Sequence, residues 1–246
     1  MAKLKTKTAF LCSVCGDDFP KWNGQCPSCK EWGTLSEFKV SAKKNGRKHE
    51  LRETKSLTDV LTANSGERIS TGLKEADRVL GGGLLSGSLI LLGGSPGVGK
   101  STLALHICSG INRKALYISA EESEEQVALR ARRLNIKPDK LFLSGENELD
   151  GIISHIDRIQ PDLVIVDSIQ TVMNSGLDSL PGSPSQIRDC GQRLLEVSKQ
   201  KNVTILIVGH VTKDGTIAGP KMLEHMVDVV LYIEGDDRHD HRILRS

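Results

Sequence analysis

The sequence predicts an α/β domain on a parallel-rich central sheet, preceded by a small cysteine-rich domain. Three observations carry this. From about residue 57 onward, short apolar β-rich runs alternate with helix-periodic segments, as the strands and crossover helices of a parallel sheet do. Two of the runs, LVIV at 163–166 and VTILIV at 203–208, are apolar on both faces, as strands covered on both sides require. Four of the six cysteines fall within the first 29 residues.

The chain divides into three zones. Residues 1–35 hold the cysteine cluster, 36–56 read as a polar, basic linker without an apolar period, and 57–246 form the α/β core. Strands are expected at 88–92, 115–119, 141–143, 163–166, 203–208 and 227–233, and helices at 102–112, 123–134, 148–160 and 186–201. Pro138 and Pro161 follow helical runs, where they break nothing. Two Gly/Pro/Ser-rich connections, 171–185 and 212–224, are longer than ordinary loops.

Composition removes several classes. The apolar runs, about six residues at most, cannot span a bilayer, which takes roughly 20. The first 20 residues lack the apolar centre of a secretory signal, which favours an intracellular, cytoplasmic chain. A formal net charge of +2 excludes a polycationic tail, although residues 1–50 carry ten Lys/Arg against five Asp/Glu. At 3% aromatic, a multi-aromatic base-stacking platform is disfavoured.

The strongest local signal is Gly94, Ser95, Pro96, Gly97, Val98, Gly99, Lys100, Ser101, a complete G-x-x-x-x-G-K-S, with Thr102 opening the amphipathic segment behind it. The glycines let the backbone curl so that successive N–H groups face phosphate oxygens, and the helix start adds its dipole. Lys100 neutralises β/γ-phosphate charge and the Ser101 hydroxyl suits Mg²⁺. This is a nucleoside triphosphate site.

Asp167 ends the apolar run LVIV and belongs at the carboxyl edge of the sheet, where it can hold Mg²⁺ through its water. Glu121 and Glu122 follow the strand at 115–119, so a carboxylate there can orient the attacking water. With Glu124 and Glu125 they also make an acidic helix start that the dipole favours, and both readings hold together. His210 follows the strand at 203–208 and serves equally as a γ-phosphate sensor or as a surface or packing histidine.

Cys12 and Cys15, and Cys26 and Cys29, are two C-x-x-C pairs. Two such knuckles complete a tetrahedral, closed Zn²⁺ site, which makes the zinc structural. Gly16 and Pro27 suit the turns, and Trp22 and Trp32 are expected to cover so small a core. Lys21 and Lys30 allow nucleic acid or a partner protein. Cys108 and Cys190 lie in apolar helical patterns and read as packing residues.

The four-cysteine knot, the stretch from Ser70 to Gly83 (STGLKEADRVLGGG), then GGSPGVGKST, YISAEES, VDSIQT and AGPKMLEHMVD, closely resemble the bacterial RadA (Sms) DNA repair ATPases, in the same order, from about residue 8 to the end. The resemblance implies a RecA-like P-loop ATPase core that forms a homo-hexamer when full length. It implies a DNA-stimulated ATPase of recombinational repair that promotes branch migration by movement on single-stranded DNA and acts on branched DNA alongside RecA or a replicative helicase pathway. It makes Glu121 the water-activating glutamate and places 171–185 and 212–224 along a DNA channel, with Lys213, Lys221 and Arg188 as phosphate contacts. The family continues with a Lys-Asn-Arg-Phe-Gly motif and a Lon-protease-like domain, so the chain reads as a carboxyl-terminally truncated, nucleoid-associated bacterial protein.

The resulting expectation is ATP with Mg²⁺ on the core and Zn²⁺ on the knot. The alternative is a nucleotide-gated DNA or protein adaptor with little turnover. A circadian-clock-type kinase shares the TG…DRVLGGG…GKST stretch, but the four-cysteine knot argues against it.

Overall fold

The computed structural model describes residues 7–14, 17–40, 54, 56–62, 67–137, 139–177, 179–210, 223–235 and 241–246. Cys15, Gly16, Pro138, Lys213, Lys221 and most of 212–224 lie outside them.

At the amino terminus, β1 (Lys7–Cys12), β2 (Asp18–Phe19) and β3 (Leu35–Val40) form an antiparallel sheet in the order β2-β1-β3. β3 pairs with β1 as far as Val40, five residues into the stretch that reads as linker from residue 36. Polar Ser36 and Glu37, on opposite faces of β3 and both exposed, hide it in the sequence, because they break the apolar alternation that marks a half-buried strand. The core is small: Cys12, Cys26 and Leu35 are buried, with Phe10, Val14, Phe19 and Cys29 packed on them. Trp22 and Trp32 do not cover it. They are 60% and 74% exposed, and the ring of Trp32 lies over Gly24 instead. The small interior is lined by the thiols, Leu35 and the partly buried Phe10 and Phe19.

After α1 (Leu57–Thr62), the short strand β4 (Arg68–Ile69), helix α2 (Lys74–Val79) and strand β5 (Leu84–Leu85) precede the main sheet, with β4 antiparallel to β5. Asp77 ties this segment together, accepting from Ser70 Oγ (2.6 Å), Thr71 N (2.8 Å) and Thr71 Oγ1 (2.7 Å). Burial raises its pKa, but these hydrogen bonds outweigh burial and leave the carboxyl below the ordinary aspartate value.

The core then alternates: β6 (Leu89–Gly94), α3 (Lys100–Gly110), β7 (Ala115–Ser119), α4 (Glu124–Arg133), β8 (Leu141–Ser144), α5 (Leu149–Ile159), β9 (Leu163–Asp167), α6 (Pro184–Lys201), β10 (Thr204–His210), β11 (Val229–Gly235) and β12 (Arg242–Arg245). The sequence anticipates each of these except β12, with ends shifted by about two residues or fewer. The strand order is β12-β11-β6-β10-β9-β7-β8, and every pairing is parallel except β11 with β12.

Strand alternation divides the apolar residues between the two faces. Ile90, Leu92, Tyr117, Ile165 and Leu206 pack with Ala104, Leu105 and Cys108 of α3 and Val127 of α4. Leu89, Leu91, Leu116, Val164 and Ile207 pack with Ile152 and Ile156 of α5 and with Cys190 and Leu194 of α6. Each such aliphatic side chain contributes roughly 1.5–3 kcal/mol when fully buried, so this doubly covered sheet is the stable platform on which the loops at its carboxyl edge are carried.

Candidate functional site

Register brings the functional candidates to one edge. Gly94 ends β6 opposite His210 of β10, while Val208 of β10 and Ser119 of β7 both pair with Asp167 of β9. The ends of β6 and β9 are separated only by β10, and register places Asp167 level with Leu92, about two strand spacings (roughly 9–10 Å) across the sheet and two residues short of Gly94, where the loop begins. The strand order also reverses around β6, which makes this a crevice of the kind that receives ligands in open α/β sheets.

The loop from Gly94 to Gly99 is shaped by close approach and by left-handed backbone. A Cβ on Gly94 would stand 2.5 Å from the Ile233 carbonyl oxygen, and Gly97 and Gly99 hold φ of 75° and 109°. α3 begins at Lys100, two residues earlier than the sequence pattern indicates, and no side chain caps it. Its first amides are therefore left to an anion. Ser101 and Thr102 occupy the next positions of this first turn.

Lys100 is 4% exposed, and its Nζ donates to Gly94 O (2.9 Å) and Ser95 O (3.0 Å). Burial lowers its pKa, while the Asp167 and Glu121 carboxylates act in the opposite sense. Asp167 is itself buried and accepts the hydroxyl of Tyr117, a fully buried residue on β7. Burial and the adjacent carboxylate push the Tyr117 hydroxyl far up, so it remains a proton donor. The peptide joining Asp167 to Ser168 is cis.

Beyond β7, Ala120 N donates to Asp167 O (2.8 Å) and Ser119 Oγ to Glu122 O (2.7 Å), which folds the chain back and presents Glu121 beside Asp167. Glu121 Oε1 accepts the Ser168 hydroxyl and lies 3.0 Å from His210 Nε2. Glu122 instead pairs with Arg130 on α4, and Glu124 and Glu125 begin that helix behind the N-cap Ser123. Of the four glutamates, Glu121 is thus the one bound to the end of β9.

Alongside the loop runs a cleft of about 670 Å³, lined by Leu73, Ala76, Gly97, Gly99, Thr102, Leu103, His106 and Arg242 among others. The sequence reading omits Arg242 and Tyr117. A tyrosine in an apolar strand reads as core, and an arginine on an unanticipated edge strand carries no motif. Ser168 was within reach, since it adjoins Asp167. Arg188 lies on α6 and pairs with Asp18 of β2 at 2.9 Å. The described part of 171–185 is tethered at its base: Asn174 N donates to Gln186 Oε1 (2.8 Å), and Ser175 N and Oγ donate to Glu148 Oε1 (2.9 and 2.8 Å).

In the amino-terminal sheet, the sulfurs of Cys12, Cys26 and Cys29 all lie within 4.8 Å of one another. Cys12 Sγ and Cys29 Sγ are 3.6 Å apart, near the roughly 3.8 Å edge of a tetrahedron with zinc–sulfur arms of about 2.3 Å. Val14 N donates to Cys12 Sγ at 3.4 Å, the turn amide that holds a thiolate in a knuckle. The donor set therefore fits a thiophilic metal. Cys108 and Cys190 stand apart and are buried; burial chiefly pushes the Cys190 thiol up to about 12 and Cys108 further. Both are packing residues, as the sequence indicates.

Residues 58–216 match the AAA domain family. The chain belongs to that family. Residues 10–37 match the rubredoxin metal binding domain, the segment that holds the thiol cluster. Relatives include the DNA repair proteins RadA of Listeria monocytogenes, 45% identical over 100% of this chain and 55% of that protein, and of Bacillus subtilis, 46% identical over 98% and 55%. The RadA protein of Rickettsia bellii is 48% identical over 98% of this chain and 55% of its own length. The chain thus spans about 55% of these relatives. A KaiC-like protein from Pyrococcus horikoshii shares the fold, with TM-score 0.59 and 18% identity over 73% of this chain and 87% of that one. Among the described residues no helix is long and apolar enough to cross a membrane.

Proposed function

We propose that this chain binds ATP with Mg²⁺, hydrolyses it, and couples hydrolysis to DNA in repair. The observation that carries this reading is the uncapped, glycine-shaped loop with buried Lys100, facing Asp167 and Glu121 across one strand. The DNA repair assignment rests on the RadA relatives.

In this reading the loop amides and the Lys100 ammonium take the β- and γ-phosphates, the ammonium exchanging its two carbonyl partners for phosphate oxygens. The Ser101 hydroxyl offers a hard oxygen ligand of the kind Mg²⁺ prefers, and the Asp167 carboxylate would hold the ion through its bound water. When bound, the ion neutralises charge on the β- and γ-phosphate oxygens. Tyr117 fixes the carboxylate rotamer of Asp167 from below. Glu121, oriented by Ser168 and His210, holds the attacking water in line and accepts its proton. His210 lies at the end of β10, immediately before the 211–222 segment, so a change at Glu121 is passed toward the part of the chain that carries Lys213 and Lys221. Those lysines and Arg188 are the proposed DNA phosphate contacts, with movement along single-stranded DNA, branch migration and hexamer assembly as the activity of the longer protein. Cys12, Cys15, Cys26 and Cys29 hold a structural zinc that fixes the small amino-terminal sheet.

The test is ATP hydrolysis by this chain with and without single-stranded DNA, beside Lys100→Ala, which is expected to lower ATP affinity roughly 10- to 100-fold by loss of a charged hydrogen bond. DNA-stimulated turnover supports a coupled ATPase. Nucleotide binding without turnover supports the adaptor reading. Equal binding and turnover in wild type and variant sink the phosphate-site assignment.

A further inference from the structure

Arg242 opens β12, the single antiparallel strand at the edge of the main sheet, where it pairs with Gly235 of β11. From there its side chain crosses to the phosphate loop. Nε donates to Val98 O at 2.7 Å, and a Cβ placed on Gly99 would lie 3.5 Å from Nε and 3.6 Å from Cδ. The guanidinium therefore runs along the outer wall of the loop and lines the cleft with Gly97, Gly99, Thr102 and His106.

The geometry divides the guanidinium into two parts. Nε is committed to the loop carbonyl, which fixes the plane of the group. The two terminal nitrogens carry four further N–H donors, and no hydrogen bond or ion pair to another described residue is found for them. A fixed cationic fork held against the loop whose amides face an anion is arranged for phosphate oxygens. A lysine would supply the charge but not both contacts, because its single nitrogen cannot stay on Val98 O and still present a planar pair of donors.

We propose that Arg242 is a nucleotide-binding residue acting within its own chain: it braces the loop through Val98 O and contacts the nucleotide phosphates with its terminal amino groups. β12 then becomes a strand whose order depends on nucleotide. This inference rests on the phosphate-site reading above.

The experiment measures ATP and ADP affinity by calorimetry over a range of salt for the wild type, Arg242→Gln and Arg242→Lys, with Lys100→Ala alongside, and follows amide exchange in residues 242–245 with and without ADP. For Arg242→Gln the expected result is a roughly 10-fold weaker Kd for both nucleotides and a shallower salt dependence, since one phosphate-facing cation is gone. Arg242→Lys recovers part of the affinity, and ADP protects 242–245 in the wild type but not in Arg242→Gln. Affinities within twofold of wild type at every salt concentration overturn the proposal, and so does a weakening with unchanged salt dependence, which marks a purely structural brace. If wild type and Lys100→Ala both fail to bind ATP, the phosphate-site reading itself has failed. A wild type that binds, with indifferent Arg242 variants, defeats this inference alone.

Discussion

His210 Nε2 lies 3.0 Å from Glu121 Oε1, and that same oxygen accepts the Ser168 hydroxyl. Two groups at the ends of the neighbouring strands β9 and β10, Ser168 just past the first and His210 closing the second, thus hold one carboxylate at the sheet edge. A carboxylate so fixed can receive a proton without first searching for its orientation, which is the requirement for a general base. Glu121→Gln keeps the shape and both contacts but cannot take the proton. Single-turnover phosphate release is expected to fall by about 10²–10⁴, while fluorescent nucleotide titration gives an affinity close to wild type. Wild-type release rates in the variant would remove Glu121 from the mechanism.

The thiol cluster should retain about one zinc per chain, because four thiolates complete one tetrahedral site. Metal analysis of the purified protein checks this, and Cys26→Ser should lose the metal. The free-thiol count separates the sites further. Buried Cys108 and Cys190 stay unreactive in the native protein whether or not zinc is chelated, whereas the cluster reacts once the metal is removed. A chain isolated without zinc or another thiolate-bound metal contradicts the assignment.

Asp77 makes the segment ahead of the sheet sensitive to acid. Its folded-state pKa lies below the ordinary value, so its contribution is fully present above the unfolded pKa and is lost as pH falls through the folded one. Asp77→Asn should therefore unfold at lower urea than wild type at pH 7. The difference should narrow from about pH 4 downward, where the unfolded aspartate is protonated. A gap that stays constant from pH 7 to pH 3 would show that the carboxylate charge plays no part.

Gly110 ends α3 directly against Thr71: a Cβ there would lie 1.9 Å from the Thr71 carbonyl oxygen and 2.9 Å from its carbon. Alanine favours helix by about 1 kcal/mol over glycine, but here it meets backbone that cannot rotate aside. Gly110→Ala should lower stability by roughly 1–3 kcal/mol in equilibrium unfolding, the ordinary range for overpacking. An unchanged or higher midpoint would mean that the 70–72 segment moves away freely.

What was legible in the sequence was whatever lies close together along the chain. The phosphate loop is one contiguous motif, and the central strands announce themselves because both of their faces are buried. Asp167 was readable because it terminates such a run. Tyr117 was not, since nothing in an apolar strand reveals that its hydroxyl faces a carboxylate 50 residues away. Arg242 and Val98 are 144 positions apart, and their contact depends on an edge strand with one polar face. The two-residue strands β4 and β5 are too short to show any period, so the segment between residues 68 and 85 carried its information as a family resemblance and not as a pattern. The tryptophans misled for a related reason: the sequence shows large apolar side chains without showing that Phe10, Phe19 and Leu35 are the ones that pack on the thiols.

Lys100 holds two main-chain oxygens deep in the protein. Its dehydration is thus completed when the chain folds, and a ligand arriving later finds an ammonium that exchanges oxygen partners without first shedding water. The penalty is borne by the fold at all times, so that, if Lys100 takes phosphate as proposed, less of it falls on the binding step. On that reading stability and binding make opposite demands of this position: conformational robustness favours an uncharged side chain, and the proposed ligand calls for a cation.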